Sequence, residues 1–327
     1  AHRCKDTIAP TGTIAQGVGA KQINAAGEIY ETKYGLTTSE RVYGTVRENQ
    51  LGHGPCYLKT TGITKEQDED LLKAYLNMAP SQTLKWIESG KNPSEQDVEI
   101  QGTEPYIVGG HTASGYWVNT GRETTVKGLY AAGDVAGGCP QKYVTGALAE
   151  GKLAALDMVK QFSAGSLKEA DITTEAEIKV QEEKILSQYE KFRNEDAPAF
   201  SVEELEEAMQ KIMDQYAGGI GTDYRYSGMS LAKADEKIAA LLPVVDTLAA
   251  TDTYELMQIY ELRERLIVCQ AVIAHLAARK ETRWHSFGEN TDYPQQSEEW
   301  MKYVNSRMEN GEIKILYRDL ITKENTG

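Results

Sequence analysis

The longest regular pattern of apolar positions lies in the C-terminal half, where Ile259, Leu262, Leu266, Cys269, Ile273 and Leu276 recur at spacings of three and four. Such a stripe marks a helix with one buried face, and stripes of this kind pack in bundles. Ser201 and Glu204 have the spacing of a capping box, which Asp252 and Glu255 repeat. Residues 165–282 therefore read as a three- or four-helix bundle. A second amphipathic stretch runs from Lys65 to Trp86, with apolar positions Leu71, Leu72, Tyr75, Leu76 and Leu84 and an interruption at Pro80. Residues 1–63 carry short β-type runs instead. Ile23 to Tyr30 reads as two strands about a turn at Ala26-Gly27. Tyr106-Ile107-Val108 and Tyr116-Trp117-Val118 read as short strands, and Leu129-Tyr130-Ala131-Ala132 as a buried strand that stops at Gly133-Asp134. A helix of small residues is expected from about Gly146 to Phe162. The tail from Trp284 reads as irregular, with an extended segment beginning at Asp292-Tyr293-Pro294.

Hydrophobic residues make up 40% of the 327 positions and charged residues 26%, which fits a globular chain of two or three domains. Against 35 Lys and Arg stand 49 Asp and Glu, a net charge of −14. That balance disfavours nucleic acid and anionic membranes as partners. An anionic substrate would need positive ligands placed locally, against the overall field. No run of about 18 apolar residues suggests a membrane span. The four cysteines, Cys4, Cys56, Cys139 and Cys269, form no CxxC pair. They read as reduced thiols of a cytoplasmic protein with no metal site of its own, so any iron–sulfur cluster belongs on another chain.

The segment richest in chemistry runs from Thr124 to Asp134. A hydrophobic strand ending in Gly133-Asp134, followed by glycines and a helix start, is how α/β folds hold a nucleotide outside the carboxyl ends of their strands. The acidic side chain can accept from a sugar hydroxyl. The helix start at Thr145-Gly146-Ala147-Leu148 offers free N–H groups and a positive dipole end.

With these motifs the chain resembles the fumarate reductase and succinate dehydrogenase flavoprotein family. Thr125 to Ala154 looks like the family's T-x-x-G-L-Y-A-A-G-[DE] region, which contacts the ribityl and ribose of FAD, and His111-Thr112-Ala113-Ser114-Gly115 resembles its H-x-x-x-G turn. Within the superfamily the closer likeness is to the alpha subunits of dissimilatory adenylylsulfate (APS) reductases. Arg3-Cys4-Lys5-Asp6, Pro10, Gly12, Asn24 and Gly27-Glu28 resemble their R-F-K-D…P-x-G…N-x-x-G-E stretch. Gly54-Pro55 with Tyr57, and Thr103-Glu104-Pro105-Tyr106, resemble two further segments. Lys142 aligns where fumarate reductases carry an arginine and APS reductases a lysine, two cations that are not interchangeable.

The resemblance implies an α/β fold with an all-α C-terminal part: the closing half of an FAD-binding Rossmann-like domain, a capping-domain segment and a helical bundle. It divides the chain into 1–103 in the capping or substrate domain, 104–164 in the FAD domain, 165–282 in the bundle and 283–327 in the tail. It implies FAD as cofactor, held by Gly133, Asp134, Thr145, Gly146, Ala147 and Leu148. It further implies Arg3, His111 and Lys142 as catalytic residues that stabilise an anionic substrate. The implied reaction reduces APS with two electrons to sulfite and AMP through a flavin N5–sulfite adduct, the electrons arriving from an iron–sulfur beta subunit. A dicarboxylate enzyme of the same fold and a flavin-binding subunit without turnover are the alternatives. No G-x-G-x-x-G stands between a strand and a helix, since Gly17-Val18-Gly19 is followed by Gln22. The expectation is that this fingerprint precedes Ala1 and that the chain as it stands binds FAD poorly or not at all. The cluster of Arg279, Arg283 and His285 reads as helix-end compensation and salt bridging.

Overall fold

The computed structural model describes residues 6–7, 14–35, 38–78, 80–101, 115–137, 144–166, 174–194, 200–283 and 288–320. They belong to two compact units, Ala1–Gly109 with Trp284–Glu289, and Gly110–Arg283 with Asn290–Gly327. The chain mixes helix and sheet, and among the described residues no helix is long and apolar enough to cross a membrane.

The first unit contains β1 (Asp6–Thr7), β2 (Lys21–Ile23), α1 (Thr38–Gln50), β3 (Cys56–Lys59), α2 (Lys65–Met78), α3 (Pro80–Ser89) and β4 (Val98–Gln101). Its sheet has the order β1-β4-β3-β2, parallel only between β1 and β4. Alternation along β3 and β4 turns Cys56, Leu58, Val98 and Ile100 inward, where they pack with Val42, Leu71, Tyr75 and Trp86. The Tyr75 and Trp86 rings meet edge to face at 5.1 Å. The expected strand–turn–strand over Ile23 to Tyr30 forms only in part: β2 ends at Ile23, the turn falls at Ala25-Ala26, and Ile29 makes a single bridge to Ile23. The helical stretch breaks at Pro80 as expected, but Leu76 and Leu84 point to solvent, and Trp86 takes the inward position. Helix α1 corrects the reading of 1–63 as short β-type runs. Its inward face carries Thr45 and Glu48 beside Val42 and Val46, so polar residues on the buried side hide the helical period.

The second unit contains α4 (Val144–Ser163), α5 (Glu175–Asn194), α6 (Val202–Tyr216), α7 (Gly228–Val245), α8 (Thr253–Ala278) and a hairpin of β5 (Lys302–Glu309) and β6 (Glu312–Asp319). The bundle core joins α6, α7 and α8, with Ile259, Leu262, Leu266 and Ile273 fully buried on the stripe and Cys269 and Leu276 partly so. Helix α5 lies outside that core: residues 174–187 are all exposed. The Ser201 box closes both ways, Glu204 N–H donating to Oγ at 3.2 Å and Ser201 N–H to the Glu204 carboxylate at 2.8 Å. The second box is half formed. Asp252 accepts from Glu255 N–H at 2.8 Å, but the Glu255 carboxylate accepts from the N–H and hydroxyl of Thr251 instead.

Two strand readings need correction. Leu129–Ala132 is not a buried strand: Tyr130 makes an isolated bridge to Glu123, and Leu129 is half exposed. Likewise, Tyr116 and Val118 make single bridges to Ala136 and Thr124. A strand buried on both faces needs flanking strands, and the described residues supply none here. The tail is also more ordered than expected. Lys302 pairs with Asp319 and Glu309 with Glu312 in one antiparallel ladder. Asn310 and Gly311 turn it with φ of 51° and 81°, both positive as a tight hairpin turn requires.

Candidate functional site

Gly133, Asp134 and Val135 form one turn of 3-10 helix after an extended Ala132. Gly133 is buried with φ +72°, and a Cβ there would stand 3.2 Å from the Ala147 Cβ. Glycine at this position thus lets the turn adopt a left-handed backbone and press on the first turns of α4. Asp134 is exposed beside it. The turn is pinned by Tyr116, whose N–H donates to the Val135 carbonyl at 2.8 Å and whose carbonyl accepts from Gly137 N–H at 2.8 Å. At the start of α4, Gly146 is buried while Thr145, Ala147 and Leu148 are exposed. No acidic residue occupies that first turn, so no side chain of the helix start itself offsets its positive dipole end. The structure brings Gly133, Asp134, Thr145, Gly146, Ala147 and Leu148 to one place.

A polar framework behind the turn fixes α4 in position. Glu150, buried on α4, holds the Arg122 guanidinium through both carboxylate oxygens, the Nη2 contact being 2.8 Å. Arg122 has φ +72°, a backbone its side chain anchors by further hydrogen bonds to the carbonyls of Asn119 and Thr120. Tyr130 donates to Asp157 at 2.9 Å, and Gln161 donates to both Tyr130 and Asp157. Burial, with the Asp157 carboxylate adding to it, pushes the Tyr130 phenol up to about 12. Tyr130 therefore stays a donor throughout the physiological range. Glu123 accepts from Gly128 N–H at 2.9 Å and pairs with Lys127, which together hold its carboxyl below the usual range.

In the first unit, the Asn24 and Gly27-Glu28 motif forms a tight turn. Asn24 Oδ1 accepts from the N–H groups of Ala26 and Glu28, at 3.1 and 3.0 Å. Its amide donates to Glu48 at 3.3 Å. Glu48 is 1% exposed and also receives Lys33 at 2.7 Å, Tyr34 at 2.6 Å and His53 Nδ1 at 2.9 Å. Burial pushes Glu48 up, but these four donors outweigh it and hold the carboxyl down at about 2. His53, just before Gly54-Pro55, thus belongs to a carboxylate hub. Sequence reasoning missed that hub, because Glu48 looks like any surface charge. The signal was available: Asn24, Lys33, Tyr34 and His53 lie within 30 residues of one glutamate.

Arg3, His111 and Lys142 lie outside the described residues, as does His285. Arg279 and Arg283 do what helix-end salt bridging implies. Both grip the fully buried Glu281, at 2.7 and 2.9 Å. They also donate to the carbonyls of Trp300, Lys302 and Ser297. Among the described residues no group of three or more His, Cys, Asp or Glu is placed to hold a metal ion.

Comparison with known proteins follows the same line. Residues 206–326 match the family described as fumarate reductase flavoprotein C-term. The adenylylsulfate reductase alpha subunit of Megalodesulfovibrio gigas is 26% identical over 93% of this chain and 54% of its own length. An uncharacterized FAD-dependent oxidoreductase of Methanocaldococcus jannaschii is 23% identical over 89% of this chain and 53% of its own length. The chain therefore spans about half the length of the curated relatives it matches. The solved adenylylsulfate reductase of Archaeoglobus fulgidus superposes with a TM-score of 0.82 at 26% identity, covering 96% of this chain and 57% of that one.

Proposed function

From a chain homologous to the alpha subunit of adenylylsulfate reductase, we propose a flavin-dependent oxidoreductase of that type, working with FAD on a small sulfur-containing anion. The observation that carries this reading is the Gly133-Asp134 turn pressed against an α4 start that has no acidic residue in its first turn. That geometry suits FAD: a glycine admits close backbone approach, a carboxylate can accept from a hydroxyl, and a helix start directs its N–H groups toward negative charge. In this reading Asp134, with Gly133 beside it, accepts from the ribityl or ribose hydroxyls. Thr145, Gly146, Ala147 and Leu148 present the helix start to the N1–C2=O edge, where negative charge grows on reduction. FAD, when bound, supplies two-electron redox chemistry.

The remaining roles follow the motifs. Arg3 and Lys142 balance the charge of the sulfo group, and His111 holds one of its oxygens or delivers a proton. Two electrons then reduce APS to sulfite and AMP, the sulfur–oxygen bond to the phosphate breaking and AMP leaving. The electrons come from an iron–sulfur beta subunit, and the protein works in the cytoplasm. Lys142, at the position of the fumarate reductases' arginine, favours the sulfur substrate over a dicarboxylate. The match of 206–326 to a fumarate reductase region keeps the dicarboxylate as the reading to test against.

The experiment follows flavin absorbance in the FAD-loaded protein during separate titrations with sulfite and fumarate. Expected is a loss of absorbance with sulfite, weakened at least about tenfold by Arg3→Ala or His111→Ala, and AMP-dependent release of electrons to an acceptor. Silence toward sulfite with fumarate reoxidising the reduced flavin overturns the sulfur reading. Stable FAD binding with neither response assigns the chain to a flavin-binding subunit without turnover.

A further inference from the structure

We propose that the cleft at the base of the β5–β6 hairpin binds a small aromatic anion, a planar ring carrying a phosphate or a similar acid group. The cleft is open to solvent and has a volume of about 680 Å³, within the range of small-molecule sites. Its walls carry the aromatic side chains of Tyr293, Trp300 and Tyr317 and the lysines Lys280 and Lys302. Tyr293 and Tyr317 are about half exposed, which leaves ring surface open to a ligand. Trp300 is buried, its ring edge-on to Tyr317 at 5.6 Å. Lys302 Nζ stands 5.2 Å from the Trp300 ring and 5.9 Å from that of Tyr317. A cation is thereby fixed beside an aromatic wall.

Two acids share the cleft, Asp292 and Glu299. Asp292 Oδ2 accepts from Gly228 N–H at 2.7 Å, at the start of α7, so a helix end offsets its charge. The cleft thus sets two lysines beside two carboxylates, one of them partly offset by the helix end, on a chain whose net charge is −14. The wall is also prearranged. Arg279 donates to the carbonyls of Trp300 and Lys302 at 2.9 Å each, and Arg283 to that of Ser297 at 2.7 Å. Glu281 holds both arginines and accepts from Ser297 N–H at 3.0 Å. A backbone gripped in this way loses little freedom when a ligand enters. Exposed ring faces recruit a planar ring, and an ammonium recruits an anion. The cleft offers both within one molecule's reach, so a ligand with both features uses it fully.

Isothermal titration of the chain tests this with adenosine 5′-monophosphate and phenyl phosphate, against inorganic phosphate and adenosine as single-feature controls. The two-feature probes should bind at least about tenfold tighter than either control, and Lys302→Gln and Tyr317→Leu should each weaken them about tenfold. Lys152→Gln, an exposed lysine of α4, should change nothing. Equal affinity for all four probes overturns the proposal, as does unaltered binding in a Lys302→Gln variant that melts like the parent. A preference for the nucleotide identifies a nucleotide ligand, and a preference for phenyl phosphate a simpler aryl anion; both support the site. Asp134→Ala separates this site from the flavin reading. If it abolishes nucleotide binding while Lys302→Gln does not, the ligand sits at the Gly133-Asp134 turn and the cleft proposal falls.

Discussion

Gly133 combines a left-handed backbone with a neighbour 3.2 Å from where a Cβ would stand. The conformation alone costs an L-residue about 1–2 kcal/mol, and the contact with Ala147 adds to it. Gly133→Ala is therefore expected to lose more than about 1–2 kcal/mol in urea denaturation followed by circular dichroism, and Gly133→Val more still. An unchanged midpoint would mean that the turn neither keeps its left-handed backbone nor presses on α4. Glu48 carries a pH prediction. Its folded value, about 2, lies below the ordinary 4.5, so its contribution to stability is complete above about pH 4.5. It is lost as pH falls from there toward 2. Thermal melts across this window should show a fall that Glu48→Gln flattens; parallel curves for the two proteins would remove Glu48 from the acid transition. At this scale the sequence was legible where a residue type is rare in its setting, as with Gly133-Asp134 after an apolar run. It was opaque for Glu48, Glu150 and Glu281. A buried carboxylate differs from a solvated one only by donors that fold in around it.

Among the elements, α8 was read most fully, because its apolar positions from Ile259 to Leu276 keep one face over about five turns and its partners, α6 and α7, supply the rest of the core. Leu266 is fully buried there. Leu266→Ala should destabilise the chain by about 2–5 kcal/mol, since a lost side chain leaves a cavity the bundle fills only in part. A loss below about 1 kcal/mol in urea denaturation would mean the bundle collapses around the site. The hairpin was missed although Asn310-Gly311 is a strong turn signal. The runs on either side alternate imperfectly, with Ile315 and Leu316 adjacent, so period 2 does not stand out. The half-formed box at Asp252 shows a different limit. Spacing names the residues able to cap, but a nearby Thr251 offered Glu255 two donors at once.

At the scale of the molecule, α4 is amphipathic in an unusual sense. Gly146, Glu150 and Ala154 face the segment 115–137 and are buried, whereas Val144, Leu148, Leu156, Val159 and Phe162 form an exposed apolar stripe on the other side. A helix following a strand and a Gly-Asp turn ordinarily lays such a stripe on a sheet. That is why Leu129–Ala132 was expected to be a buried strand, and why the expectation failed when the described residues placed no sheet beside it. Contiguous exposed apolar surface of this kind binds apolar ligands. The chain should therefore raise the fluorescence of Nile red, a neutral dye that the lysines of the hairpin cleft do not attract. Val159→Gln and Phe162→Gln should lower that signal. Both side chains are already mostly in water, at 65% and 76% exposure, so stability should stay within about 0.5 kcal/mol of the parent. The opposite pattern, a dye signal unmoved while the melting temperature drops, would show that the stripe is covered in solution and that α4 packs through both of its faces.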